Sequence, residues 1–191
     1  MIGAILIGWW VCFGQDNHQD LLSRAIAGGA LSRDYILSEP WRIVSAPLLH
    51  LHVVHLATNT FFCCILGLGC SLHRSPQSTL SIFFTSGWCA TIAGTLIQPG
   101  WFIGASGSMF GLLGALIASL RHTLPQKKFY FVLMVSVLLS LVSKGDAIAH
   151  LVGLIFGVLF GCSELWEKKF INRVVLGISF FGMGFGLSVL I

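Results

Sequence analysis

The two longest stretches of this chain without Asp, Glu, Lys or Arg lie between Arg42 and Arg74 and between Arg74 and Arg121. No other feature narrows the fold as far. With 55% of residues hydrophobic, 9% charged and a mean hydropathy of +0.88, a soluble fold of 191 residues would have too little polar surface to cover its core. A bilayer, by contrast, demands this balance.

The second charge-free stretch is long enough for two membrane spans divided by the turn signal Gln98-Pro99-Gly100. Spans are predicted near 48–70, 78–97 and 104–120, with further apolar runs at 129–143, 147–163 and 174–191. Met1–Gly14 is shorter than the ~20 residues a full crossing needs. It has no basic n-region and no small-x-small site before Gln15, so it reads as a span rather than a cleaved signal. The expected architecture is an all-α polytopic membrane protein forming one integral domain, 1–191. Residues 1–170 form a six-helix core with a long outer loop, 15–47, and 171–191 add a seventh transmembrane helix. Leu21, Leu22, Ile26 and Leu31 give that loop apolar anchors, predicting helices that lie at the interface.

Lys and Arg orient the spans. With the N-terminus cytoplasmic, inner loops hold Arg74, Arg121, Lys127, Lys128, Lys168, Lys169 and Arg173, against Arg24, Arg33, Arg42 and Lys144 outside. The net charge of +4 is thus a topology signal and not a nucleic-acid one, because the basic residues form no stripe. The six cysteines lie in or beside apolar runs without a CxxC spacing, so they read as small hydrophobes and imply no disulfide framework.

Polar groups inside a span are costly, so each is a functional candidate. Ser106 sits in the small-residue run Gly104-Ala105-Ser106-Gly107 just after the outer turn. Beyond it Gly107, Gly111, Gly114 and Ala118 draw a small-residue stripe along one helical face, and Gly153, Gly157 and Gly161 repeat the device in the span that carries His150. Two such faces packed backbone to backbone could bring Ser106 and His150 within hydrogen-bond reach. A lone serine more often bonds its own helix carbonyl, but a membrane-depth histidine needs a partner, and the glycines allow the approach.

His55 and Asn59, four apart at the start of the second span, share a face and could aim N–H donors at one point. Fixed donors of that kind make an oxyanion hole; an interhelical hydrogen-bond pair is the plainer alternative. Zinc on His50, His52 and His55 is disfavoured, since no HExxH and no carboxylate lies in these spans. A hydrolase elbow fails at Ser108, where it needs glycine. No metal and no cofactor is expected.

Taken together, these residues resemble the rhomboid family of intramembrane serine proteases. The likeness rests on Trp41-Arg42, on His50, His55 and Asn59, on Gly104-Ala105-Ser106-Gly107, and on Ala149-His150-x-x-Gly153-x-x-x-Gly157, in that order from about 40 to 161. It implies Ser106 as nucleophile and His150 as its base and then acid, a dyad with no orienting carboxylate. His55, Asn59 and the Ser106 backbone N–H would form the oxyanion hole, with His50 supporting. Trp41 and Arg42 would hold the outer loop, and Phe110 would stack near His150. Gly104 and Gly107 would flank the nucleophile, while Gly153 and Gly157 would clear its approach to the histidine.

By the same likeness, the fifth span, Phe129 to Ser143, and Lys144-Gly145-Asp146 would be gate and lid, and no soluble N-terminal domain is expected. Substrates would be transmembrane proteins entering from the lipid bilayer, with no nucleic-acid partner and no oligomeric state assigned. The expected location is a bacterial inner membrane, N-terminus cytoplasmic, with the site opening to the extracytoplasmic side. A rhombosortase-like trimming enzyme remains open. The alternative function is a non-catalytic relative that binds membrane helices; such relatives lose the serine or the histidine, and this chain keeps both.

Overall fold

The computed structural model describes residues 18–142 and 146–163. Among them all regular structure is helical apart from one antiparallel bridge between Leu31 and Phe102. The helices are α1 (His18–Ala27), α2 (Arg42–Ser45), α3 (Val53–Ser71), α4 (Pro76–Ile97), α5 (Ser106–Leu120), α6 (Gln126–Val142) and α7 (Ala147–Cys162). Short 3-10 turns cover Arg33–Tyr35 and Ala46–Leu48. The expected spans at Met1–Gly14 and 174–191 lie outside the described residues.

Five of the expected apolar runs are helices, with α3 and α4 the longest at 19 and 22 residues. At ~1.5 Å rise per residue these reach roughly 28 and 33 Å, a hydrocarbon core's thickness. The predicted start of the second span at 48 is late by a few residues in the structure. Pro47 sits in the 3-10 turn and Leu49 is extended, so α3 begins only at Val53. α4 starts with Pro76 in its first turn, where a missing N–H costs nothing, and Ser75 Oγ accepts the Ser78 N–H at 3.2 Å.

α5 lies at the centre, packed against α3, α4 and α7, and α4 also packs directly on α7. Its packing on α7 is backbone against backbone: Gly153 faces Gly107, Gly157 faces Gly111 and Gly161 faces Ala115. The same sequence offset recurs at each step, so the two helices run parallel in fixed register. A Cβ on Gly157 would stand 2.7 Å from both Cα and C of Gly111, a separation no side chain tolerates. With no hydrophobic drive between helices in lipid, such contact and its dispersion energy supply the association.

α4 meets α5 through small residues as well. Ser86 Oγ occupies the space Gly111 leaves, and Ser108 Oγ the space Gly87 leaves. Three α4 hydroxyls are satisfied along their own helix: Thr85 to Ser81 O at 2.6 Å, Ser86 to Ile82 O at 2.6 Å and Thr95 to Thr91 O at 2.7 Å. At the opposite end of the bundle from Ser106, Arg74 donates to Ser119 Oγ at 3.2 Å and to the Gly161 carbonyl, tying the C-terminal ends of α5 and α7. Cys63 and Cys70 are fully buried, and the Cys70 thiol donates to the Leu112 carbonyl at 3.2 Å, in keeping with apolar packing roles. Large side chains left facing outward, among them Val54, Phe61, Leu68, Phe131 and Leu139, give α3 and α6 lipid-compatible surfaces.

Candidate active site

The outer loop is built around Arg42, which is nearly fully buried. Its guanidinium pairs with Glu39 at 2.9 Å, donates to the Ala30 carbonyl at 3.0 Å and to the Ile26 carbonyl at the end of α1, and sits 4.8 Å from the ring centres of Tyr35 and Trp41. A planar fork can serve all of these at once; an ammonium cannot. Trp41 lies over Gly29, whose φ of +105° and missing Cβ make room for that ring and for Ser45. The loop is therefore ordered from within.

It is also fastened to the segment that precedes Ser106. Leu31 and Phe102 exchange backbone hydrogen bonds of 3.1 and 2.7 Å, and Gly104 N–H donates to Ala46 O at 3.0 Å. Gly104 has φ +106°, a conformation that side chains rarely adopt, and a Cβ there would stand 2.9 Å from His55 Cε1. That turn delivers Ser106 to the first position of α5.

The Ser106 hydroxyl and His150 Nε2 share a hydrogen bond of 2.8 Å, in which the hydroxyl is the donor for a serine poised to be deprotonated. This requires Nε2 to be the unprotonated nitrogen, as in a neutral imidazole carrying its proton on Nδ1. Phe110, one turn after Ser106, stacks on the His150 ring with centroids 4.7 Å apart and planes inclined by 26°. The His150 ring is thus held by a hydrogen bond in front, an aromatic face beside it and the glycine-to-glycine backbone contact behind.

His50 is fully buried in the extended segment before α3. Its Nδ1–H donates to Leu48 O at 3.2 Å, while Nε2 accepts the Asn59 carboxamide at 2.9 Å and the Ala105 backbone N–H at 3.5 Å. Burial, helped by the neighbouring His55, pushes its pKa down from 6.5 to about 4, so the ring is neutral and can accept. His55 packs edge-on against it, with centroids 5.0 Å apart. Of the two residues read from sequence as donors to one point, His55 reaches the cavity, whereas Asn59 directs its carboxamide to His50.

A cavity of about 150 Å³ opens over the Ser106–His150 pair, walled by His55, Gly104, Gly107, Ala149, Thr91 and Asp146, among others. Thr91 was not singled out from sequence, and Asp146 was named only as the last residue of the expected lid, not as a residue of the cavity wall. A hydroxyl on a helix rich in hydroxyls and an acid beside a turn carry no motif, and the fold alone brings them to this wall. Lys144 and Gly145 of the expected lid lie outside the described residues. Among the described residues no group of His, Cys, Asp and Glu could hold a metal ion.

Residues 37–167 match the family model of the rhomboid domain. Similar curated proteins include RHOMBOID-like protein 6, mitochondrial, of Arabidopsis thaliana, 29% identical over 141 residues, which are 69% of this chain and 46% of that protein. RHOMBOID-like protein 7 of the same plant is 30% identical, over 68% of this chain and 44% of its own length. Rhomboid protease GluP of Bacillus subtilis (strain 168) is 33% identical over 93 residues, 48% of this chain and 18% of that protein. The chain spans less than half the length of each of these three. Two of them are plant proteins, one mitochondrial by name, so they add nothing to the expectation of a bacterial membrane. The matched span encloses the buried arginine of the outer loop, the histidines before and within α3, and both partners of the 2.8 Å hydrogen bond, and the chain accordingly belongs to the rhomboid family.

Proposed function

We propose that this chain is a serine endopeptidase that cuts transmembrane proteins in or near their membrane segments. The observation that carries the proposal is the Ser106 Oγ to His150 Nε2 hydrogen bond of 2.8 Å, facing a cavity at one end of the helix bundle.

In the reaction the Ser106 oxygen attacks the scissile carbonyl carbon while its proton passes to His150 Nε2. Negative charge then develops on the substrate oxygen. His55, packed against Gly104, and the Ser106 backbone N–H stabilise that charge in this reading, with the second N–H of Asn59 behind them. One such donor is worth about 10²–10³ in rate. Collapse breaks the C–N bond, and His150 returns the proton to the leaving amine. Water, deprotonated by His150, then hydrolyses the acyl-enzyme. Phe110, stacked on the His150 ring, helps fix the imidazole plane.

The charge pattern supports a cytoplasmic N-terminus, with the cavity on the extracytoplasmic side and Arg74 on the cytoplasmic side. Labelling of the detergent-solubilised protein with a fluorescent fluorophosphonate tests the proposal. Wild type labels, while Ser106→Ala and His150→Ala do not and stay folded by circular dichroism. An unlabelled wild type, or cleavage retained in both variants, refutes the dyad.

A further inference from the structure

Asp146 has no part in the steps above, yet it lines the cavity that holds Ser106 and His150. Its two carboxylate oxygens meet different surroundings. Oδ1 accepts the backbone N–H groups of Ile148 and Ala149, each at 3.0 Å, and so caps the helix that bears His150. Oδ2 is shut off from solvent and has no hydrogen-bond partner among the described residues. It fills the place where a side chain on Gly94 would stand, and the Phe102 ring edge comes within 2.7 Å of the same point. Capping explains the first oxygen only, because serine or asparagine would cap as well without stranding a carboxylate oxygen in a buried notch.

The notch joins the two halves of the site. Gly94 belongs to α4, Phe102 to the segment that leads through Gly104 to Ser106, and Asp146 to the first turn before His150, whose own N–H donates to the Asp146 carbonyl at 3.0 Å. We propose that Asp146 is a positioning residue: its second carboxylate oxygen is a wedge between Gly94 and Phe102 that sets the height of His150 against the nucleophile segment. Its effect on turnover rests on the protease function proposed above; its effect on the helix does not.

Two variants separate wedge from cap. Asp146→Asn keeps both the cap and the volume, whereas Asp146→Ser keeps the cap and empties the notch. Turnover of a transmembrane-peptide substrate in detergent is expected to stay within about twofold of wild type for Asn. For Ser, kcat falls roughly 10- to 100-fold with KM within about twofold, the scale on which a displacement of about 1 Å acts. Hydrogen exchange of the amides in 146–152, followed by mass spectrometry, is expected to be faster in Ser than in Asn. Wild-type kcat and equal exchange in Ser would reduce Asp146 to a cap and overturn the wedge. A loss in Asn as deep as in Ser would overturn it in favour of charge. Should wild type neither cleave nor label, the protease function falls, while the exchange comparison still decides whether the wedge exists.

Discussion

Substituting Gly157 by alanine adds one methyl where α7 touches α5. Its carbon would stand 2.7 Å from Gly111 Cα and C, with the Gly111 carbonyl oxygen nearer still, and favourable carbon contacts begin near 3.5 Å, so the helices must part by at least about 0.8 Å there. Both contacts are backbone, which has no rotamer to yield. Parting by that amount lengthens the 2.8 Å bond between Ser106 and His150 to roughly 3.6 Å, past hydrogen-bond reach. Overpacking costs about 1–3 kcal/mol. Alanine returns up to ~1 kcal/mol through its helix propensity, so the variant stays folded. The expected result is a fall of about 10²-fold in fluorophosphonate labelling rate with helicity unchanged. Gly69→Ala is the control: its methyl meets only the Leu116 side chain, at 3.2 Å, which can turn aside, and labelling should match wild type. A Gly157→Ala protein that labels at the wild-type rate would refute the claim that backbone contact sets the dyad.

Phe110→Leu keeps bulk and removes the ring that stacks on His150, so kcat should fall about 3- to 10-fold with KM unchanged in a steady-state cleavage assay. Arg42→Lys loses the fork that serves Glu39, Ile26 and Ala30 together; about 2 kcal/mol of stability goes, read as a Tm lower by roughly 5 °C. His50 stays neutral in the fold down to about 4 but takes a proton near 6.5 once unfolded. Protons therefore favour the unfolded chain between those values, and Tm should drop as pH falls from about 6.5 towards 4, with a shallower drop in His50→Asn.

Much of the bundle was legible in the chain because lipid imposes one-dimensional rules. Charge-free runs must be helices, and glycines at steps of three and four must mark close approach, so the α5–α7 contact could be expected from Gly107, Gly111, Gly153 and Gly157 alone. Which glycine opposes which could not, since two faces with small residues every turn can pair at several offsets one turn apart. Asn59 shows the same limit: its spacing to His55 puts both on one face, but only the fold brings His50 back across that face to take the carboxamide. Asp146 was harder still. One turn before His150 it reads as part of a loop, and its second oxygen acquires meaning only beside Gly94, a residue far away along the chain.

The parallel register of α5 and α7 is written in their own facing backbones, not in the chain that links them. Residues 121–125 could therefore be cut, and the two pieces, one ending with α5 and the other beginning with α6, could find each other in a membrane as separately made polypeptides. The proposed Ser106–His150 pair would then be a product of assembly, and a split reporter built at that turn would convert membrane-helix association into a fluorophosphonate-labelling signal.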